Sequence, residues 1–336
     1  MGLIALAVAL LIEQLRPLRP DNRLHRLARD GVDLARQYSS TDRPFDAVIA
    51  WIAVVGGSIA LVLVLQWVAA AIGSLASFLL HVGILYLTIG FRQLGHKLRE
   101  VLAALGRDDL ASADRLVDGW IAAGEGGFKS PGARVEVGRD DTPGRTRLCR
   151  TAITHALVCA HREFFGPVLA YLLLPGAIGP VAYRMVDLLA RRWAEPTASY
   201  EAAADIAGAH ARVAGRGRHL ADWIPLRVTA AGFAIAGDFE DSTYCWRSAI
   251  AAGAGRDQRA MLVAIGSGSL GLDLVDPDRD RHWAGSRVDG AAPAFDWRGA
   301  PPDAGGIRST IGLVWRTATL VIGLFVLVSL SSWLGG

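Results

Sequence analysis

The chain has 336 residues, of which 52% are hydrophobic and 20% are charged, and its mean hydropathy is +0.31. Soluble domains are about 45–50% apolar, so this composition points to apolar blocks embedded in a membrane. A net charge of +3 gives no field that would attract nucleic acid. The cysteines, Cys149, Cys159 and Cys245, form no Cys-x-x-Cys pair and predict no disulfide framework.

The first apolar stretch covers residues 2–12, which is shorter than the ~20 residues that a membrane-spanning helix needs. We therefore assign residues 1–16 to an N-terminal apolar helix and leave open whether it crosses the bilayer. No basic residue precedes the stretch and no small-x-small site follows it. It is not the pattern of a cleaved signal peptide.

Residues 47–72 form a long uncharged stretch, and residues 73–91 form a second apolar stretch directly after it. Gly73 and Ser74 are the obvious hinge, so residues 47–91 predict a transmembrane hairpin. Residues 317–333 form a third such stretch, with Trp315 and Trp333 placed like interface anchors. We assign residues 307–336 to a C-terminal transmembrane helix.

Basic residues cluster before and after the predicted hairpin. The segment before it contains Arg16, Arg19, Arg23, Arg26, Arg29, Arg36 and Arg43, and the segment after it begins with Arg92, Lys97 and Arg99. Two spans separate these segments, so both lie on one side of the membrane. The positive-inside rule makes that side the cytoplasm of a bacterial inner (plasma) membrane, with the chain crossing it several times.

The remaining segments divide by periodicity and by helix breakers. Residues 92–163 predict cytoplasmic helices, interrupted at Gly106 and by a loop over residues 124–143, with Asp108 or Asp109 as a helix cap. Residues 164–236 contain several prolines and predict a broken membrane or interfacial hairpin, and residues 237–306 predict a polar loop region. The expected fold is all-α: a polytopic integral membrane protein with cytoplasmic helical segments in one domain, residues 1–336.

Three blocks of this chain match a known family in order and spacing. They are Val137-Gly138-Arg139-Asp140, then Pro175-Gly176-Ala177 through Ala182-Tyr183-Arg184, then Asp222-Trp223-Ile224-Pro225-Leu226-Arg227-Val228-Thr229-Ala230. On these blocks the chain resembles the CobD/CbiB family of cobalamin biosynthesis over most of its length. The resemblance implies a membrane enzyme that joins an aminopropanol unit to a cobyric-acid side chain, forming an amide with the help of ATP.

The chain departs from the family's motif helix, which reads roughly Arg-Ala-x-Val-Glu-Ser-x-x-Glu-Asn-x-x-Asp-Gly and ends before a proline. The same register runs here without a gap from Arg150 to Pro167. Thr154, Val158 and Arg162 stand where the family carries acids. The chain also departs at two other places: Asp187 and Ala190 stand at the family's Asn-x-x-Asp, and Arg218 and His219 replace an acidic pair.

These departures bear on catalysis, because ATP activation of a carboxylate requires Mg²⁺, which prefers carboxylate oxygens. Val158 and Arg162 supply none. We therefore expect no catalytic residue, no metal and no cofactor, and a sensor or signal-transducing role similar to the AmpE-like branch, which is linked to β-lactamase regulation. The first alternative is an adenosylcobinamide-phosphate synthase whose catalytic groups lie elsewhere, with His155 as a base. The second is a membrane assembly or structural partner.

A set of polar residues in or beside apolar stretches forms the candidate ligand-binding site. Its members are Arg139, Asp140, Tyr183, Arg184, Asp187, Asp222, Trp223 and Arg227. Ionisable groups near membrane depth are usually paired or functional, so the set indicates either internal ion pairs, such as Arg184 with Asp187, or a pocket for a small anionic or amide-bearing ligand. We favour the ion pairs. The expected partners are membrane lipid, such a ligand or a membrane protein, and no nucleic acid.

Three further patterns have a functional and a structural interpretation, and in each case we favour the structural one. His155 and Cys159 could share a metal, or could simply pack. Residues 266–271 fit a dinucleotide-binding expression, but lack a βαβ context, so their glycines predict a turn or close helix packing. The acidic cluster of Asp238, Glu240 and Asp241 predicts a solvated helix end rather than a divalent-ion site.

Overall fold

A computed structural model describes residues 2–15, 23–39, 44–124, 142–194, 204–276, 280–284 and 295–334. Across these ranges every regular element is a helix, and the only β-type pairing is an isolated bridge between Leu272 and Ala300. The fold is therefore all-α, as the sequence predicts.

Four helical stretches of the described chain are long and apolar enough to cross a membrane: Phe45–Ile72, Ser74–Gly106, Pro143–Leu173 and Ala304–Ser331. In the first, 17% of the apolar window is buried within the protein, whereas in Pro143–Leu173 the share is 78%. The first can therefore face lipid, while the third is mostly enclosed by protein. The chain is a polytopic membrane protein, and the cytoplasmic placement of residues 92–163 stays a prediction.

The helices divide between two compact units. The first unit comprises Met1–Arg92 and Arg162–Pro225. It holds α1 (Gly2–Leu15), α2 (Arg23–Tyr38), α3 (Pro44–Ile72), α4 (Ser74–Thr88), α8 (Gly166–Leu173), α9 (Ile178–Ala194) and the first part of α10 (Ala204–Ala236). The predicted hinge between α3 and α4 is confirmed, because Gly73 has a φ of 142°, a conformation that only glycine adopts without strain.

The α8–α9 pair is the broken hairpin that the prolines predict. The turn between the two helices contains Gly176 at a φ of 68°. Just beyond it, Gly179 lies so close to the backbone of Ala170 that a β-carbon would overlap its carbonyl. Glycine at both positions lets the chain reverse within a few residues and lets the two helices cross closely.

Helix α9 runs antiparallel to α3. Ala177, just before α9, packs against Val62 in the second half of α3. Leu189 and Trp193, near the end of α9, belong to a cluster with Ala50 in the first half of α3. The polar residues of α9 that lie between these contacts are thus level with the first half of the α3 span.

The second unit comprises Gln93–His161 and Leu226–Gly336. It holds most of α5 (Phe91–Gly106), α6 (Leu110–Gly124), α7 (Thr142–Ala160), the end of α10, α11 (Phe239–Ala251), α12 (Gln258–Leu270), α13 (Arg281–Ala284) and α14 (Ala304–Leu334). Helix α7 is central, since α6, α12 and α14 all pack on it. The predicted cap is confirmed: the Asp109 carboxylate accepts the amide of Ser112 at 2.9 Å.

One expectation for this unit differs from the structure. Residues 237–306 hold α11 and α12, not only a polar loop, because their apolar side chains pack the two helices together although many exposed positions are polar. The C-terminal helix is present, and α14 begins at Ala304, three residues before the predicted bound at residue 307. Its first turns are buried against the second unit, with Ile307 and Thr310 at 0% exposure.

Candidate functional site

A buried carboxylate on α9 is the centre of an ion cluster in the first unit. Asp187 is 2% exposed. Its oxygens lie 2.6 Å from Nη2 of Arg191, 3.0 Å from Nη2 of Arg218 and 4.0 Å from Nε of Arg162. Nε of Arg218 also lies 3.5 Å from Oδ2 of Asp222. We call these five residues the Asp187 cluster.

Local helix geometry accounts for most of this cluster. Arg191 lies four residues after Asp187 on α9, and Arg218 lies four residues before Asp222 on α10, so each pair shares a helix face. Burial raises the pKa of Asp187, but the guanidinium groups of Arg191, Arg218 and Arg162 outweigh it and hold that pKa below its usual range. The carboxylate is thus ionised at neutral pH.

Tyr183, one turn before Asp187, belongs to the same region. Its ring is 4% exposed. Burial, reinforced by the negative charges of Asp222 and Asp187, raises the pKa of its hydroxyl well above the usual value. Tyr183 is therefore a neutral hydroxyl that can donate a hydrogen bond to Asp222.

The expected ion pair between Arg184 and Asp187 is not formed. Nε of Arg184 instead donates to the carbonyl of Thr88 at 2.6 Å, and Nη2 lies 3.5 Å from the carbonyl of Glu163. Thr88 ends α4, where the last carbonyls have no partner within the helix. Arg184 satisfies that helix end, and Arg191 takes the place beside Asp187.

We expect the stabilisation by Asp187 to be lost in acid. The folded-state pKa of Asp187 is below its unfolded value of about 3.9, so its contribution is present above that pH and declines as pH falls towards the folded-state pKa. The difference in Tm between wild type and Asp187→Asn should be large near pH 7 and shrink between about pH 4 and pH 2. A difference that stays constant over this interval would contradict the argument.

The other predicted site residues do not join this cluster. Arg139 and Asp140 lie outside the described residues. Trp223 is 49% exposed, and Arg227 is an exposed residue of the second unit. The structure therefore unites Tyr183, Asp187 and Asp222 of the predicted set.

Arg162 and Arg218 stand at positions where the family resemblance implies acidic residues. Here both guanidiniums approach Asp187, which itself stands at a family asparagine. The signs of the charges are thus exchanged. Mg²⁺ does not fit this arrangement, because three guanidiniums already surround the carboxylate that would have to bind it. Within the described residues, no group of three or more His, Cys, Asp or Glu side chains could hold a metal ion.

A small polar cavity lies in the second unit, on the helix that carries the motif register. It measures about 20 Å³, enough for about one water molecule. Its lining is Ile121, Arg150, Thr151, Thr154, His155, Arg259 and Asp276. The Thr154 hydroxyl is buried and has no hydrogen-bond partner among the described residues, so a water or ligand atom in the cavity would satisfy it.

Charge at this cavity is nearly balanced. The Arg150 side chain donates through Nε to the carbonyl of Asp273 at 3.1 Å, and its Nη2 lies 3.9 Å from the Asp273 carboxylate. Nε of Arg259 lies 3.6 Å from Oδ1 of Asp280. The two guanidiniums are therefore oriented by long ion pairs. They could also donate to the oxygens of a small ligand.

His155 and Cys159 pack as the structural interpretation predicts. Their Nε2 and Sγ atoms are 3.3 Å apart, and the imidazole stands edge-on to Trp120 at a ring distance of 4.7 Å. His161 faces elsewhere, with Nδ1 at 2.9 Å from the hydroxyl of Thr229. The three side chains do not converge on one point.

The glycines at residues 266–271 support close packing in this all-helical setting. A β-carbon at Gly268 would overlap the backbone of Asp241 on α11. Gly271 ends α12 in the left-handed conformation, at a φ of 66°. The packing interpretation is confirmed. So is the helix-end interpretation of the acidic cluster, since the Asp238 carboxylate accepts the amide of Asp241 at 3.0 Å.

Two curated proteins are similar to this chain in sequence. Cobalamin biosynthesis protein CobD of Stutzerimonas stutzeri is 26% identical over 261 residues, covering 76% of this chain and 74% of that protein. Cobalamin biosynthesis protein CobD of Chromobacterium violaceum is 26% identical over 249 residues, covering 74% of this chain and 67% of that protein. The two similarities support a divergent member of the CobD/CbiB superfamily.

The similarity to these two CobD proteins agrees with the resemblance seen in the sequence. No family model matches the chain, and no solved structure matches it significantly. Neither similar protein bears an AmpE name, so the AmpE-like branch remains a prediction from the sequence.

Proposed function

We propose that this CobD/CbiB-superfamily protein acts in cobalamin biosynthesis, at the step that joins aminopropanol phosphate to cobyric acid by an ATP-dependent amide bond. The observation that carries the proposal is the alignment of about three quarters of the chain with two proteins named for cobalamin biosynthesis. We further propose that it lies in the bacterial inner membrane with its arginine-rich segments in the cytoplasm. The sequence alone favours the sensor role, whereas the two similar proteins favour this function.

We place the base of this reaction at the cavity on α7, which begins at Arg150, the first residue of the motif register, and is lined by His155. The cavity holds about one water molecule, so the corrinoid and the aminopropanol phosphate would have to bind outside it. The His155 imidazole could accept, directly or through that water, the proton that an attacking amine must lose. Mg²⁺ does not fit the Asp187 cluster, because three guanidiniums surround its carboxylate.

A second candidate is a non-catalytic sensor or signal-transducing role. The exchange of charges in the Asp187 cluster favours it, because Arg162 and Arg218 occupy positions where the amide-forming reaction would need acids. On this hypothesis the membrane scaffold is retained and an internal ion cluster replaces the ion-binding site.

A growth test separates the two candidates. It uses a strain that lacks the amide-forming enzyme, on medium with cobyric acid as the corrinoid source. We expect the wild-type chain to restore growth and His155→Gln to fail to restore it, because loss of a positioned base lowers the rate of the reaction by about 100-fold or more. His96→Gln is the matched control, because His96 is 70% exposed on α5 and should leave growth unchanged.

Membrane levels of each variant, measured by immunoblot, show whether a loss of growth reflects loss of protein. If the wild-type chain is present in the membrane and still fails to restore growth, the amide-forming function is wrong and the sensor candidate stands. If His155→Gln grows like wild type, the cavity on α7 is not the reaction site.

A further inference from the structure

Helix α2 has an apolar stripe that no described part of the chain covers. Leu27, Leu34 and Tyr38 lie seven and four residues apart, which puts them on one helix face. Their side chains are 66%, 52% and 82% exposed. Three large apolar side chains in one exposed row are unusual for a surface in contact with water.

The opposite face of α2 is fixed to the first unit. Val32 is fully buried, and its carbonyl accepts Nε1 of Trp193 at 3.4 Å. Arg36 donates to the carbonyl of Arg192 at 3.0 Å, and the Arg192 guanidinium pairs with Asp33. Because α9 holds this face, the apolar stripe points outward and cannot turn into the core.

The charge of α2 identifies the surface that the stripe meets. The helix carries four arginines, Arg23, Arg26, Arg29 and Arg36, against two acids, Asp30 and Asp33. Helix α3 follows within a few residues, and its early side chains Phe45, Ile49 and Ile52 are 68%, 50% and 56% exposed on a candidate membrane span. An arginine-rich amphipathic helix that leads into a span matches the interface of a bilayer with anionic lipids.

We propose that α2 lies in the membrane interface, with the row of Leu27, Leu34 and Tyr38 among the acyl chains and with Arg26 and Arg29 near anionic phospholipid headgroups. A second copy of the chain fits less well, because it would present the same arginines to this positively charged helix. The proposal is independent of the amide-forming function.

Depth is tested on the full-length chain in phosphatidylcholine vesicles that contain about one third phosphatidylglycerol as the anionic lipid. An environment-sensitive fluorophore is attached at Leu34→Cys, and at Gln37→Cys as the matched control on the polar side of the same helix. Because Cys149, Cys159 and Cys245 are buried, the unsubstituted chain serves as the labelling blank. We expect nitroxide-bearing acyl chains to quench the label at position 34, and aqueous iodide to quench the label at position 37.

Iodide quenching at position 34 equal to that at position 37 would overturn the proposal. So would protection of position 34 from both quenchers, because that result means that a second copy or another protein covers the stripe. Each labelled variant must keep the Tm of wild type, so that an unfolded helix is not mistaken for an exposed one.

Lipid selectivity is tested by the phosphatidylglycerol that stays bound when the chain is purified from the same vesicles. The double variant Arg26→Gln/Arg29→Gln should retain less phosphatidylglycerol than wild type, by roughly fivefold for each arginine removed. Arg107→Gln/Arg115→Gln removes the same charge from exposed positions of the second unit and should retain as much as wild type. Equal loss in both double variants, or no loss in either, would contradict the role of the α2 arginines.

Discussion

Asp187→Asn should lower the stability of the folded protein by about 3 kcal/mol at pH 7, in the range seen when one partner of a buried ion pair is removed. The substitution keeps the side-chain size but leaves the guanidiniums of Arg191, Arg218 and Arg162 facing one another. Their side chains are 23%, 16% and 17% exposed, so water can screen their repulsion only in part. Thermal unfolding in detergent should show a Tm lower by ~5 °C or more.

Asp33→Asn is the matched control for this prediction. Asp33 also pairs with an arginine of α9, Arg192, but its side chain is 38% exposed. Pairs of this kind contribute about 0–1 kcal/mol, so the Tm should change little. Equal losses from the two substitutions would mean that Asp187 is no more important than an ordinary surface partner.

Gly268→Ala should destabilise the second unit by about 2–3 kcal/mol, the typical cost of forcing extra volume into a packed interior. The added methyl group would meet the backbone of Asp241 and Ser242 on α11, and backbone cannot move aside as a flexible side chain can. Thermal unfolding monitored by circular dichroism in detergent measures the effect.

Gly119→Ala is the corresponding control on α6, where nothing lies within 4 Å of the added β-carbon. Alanine favours a helix over glycine by about 1 kcal/mol, so this variant should be as stable as wild type or more so. If Gly268→Ala behaves in the same way, α11 and α12 do not pack as closely as the structure indicates.

The hairpin of α3 and α4 was predictable because its signal is local. A long uncharged run fixes the helices, and Gly73 permits a backbone angle that other residues avoid. Helices α11 and α12 were missed because the glycines and polar residues of residues 237–271 resemble a loop in sequence. Their stability comes from packing on each other, which single-sequence periodicity does not register.

The candidate site was predicted only where its signal is local in the sequence. Sequence reasoning selected Asp187 and Asp222 correctly as buried polar groups, and the spacing of Arg191 and Arg218 at four residues offered a signal for their partners. The contact from Arg162 could not be foreseen, since it depends on how the segment after α7 meets α9. Arg184 was misassigned because the end of α4 that it satisfies is distant in sequence.

The sign exchange around Asp187 also limits how this protein could change during evolution. Substituting an acid for Arg162 or Arg218 alone would bring a second carboxylate towards one that is already buried, at a cost in folding. The acidic pattern that the family resemblance implies for these positions would therefore require Asp187 to change as well, before or together with the arginines. The three positions are epistatic, and each is expected to tolerate only those substitutions that suit the other two.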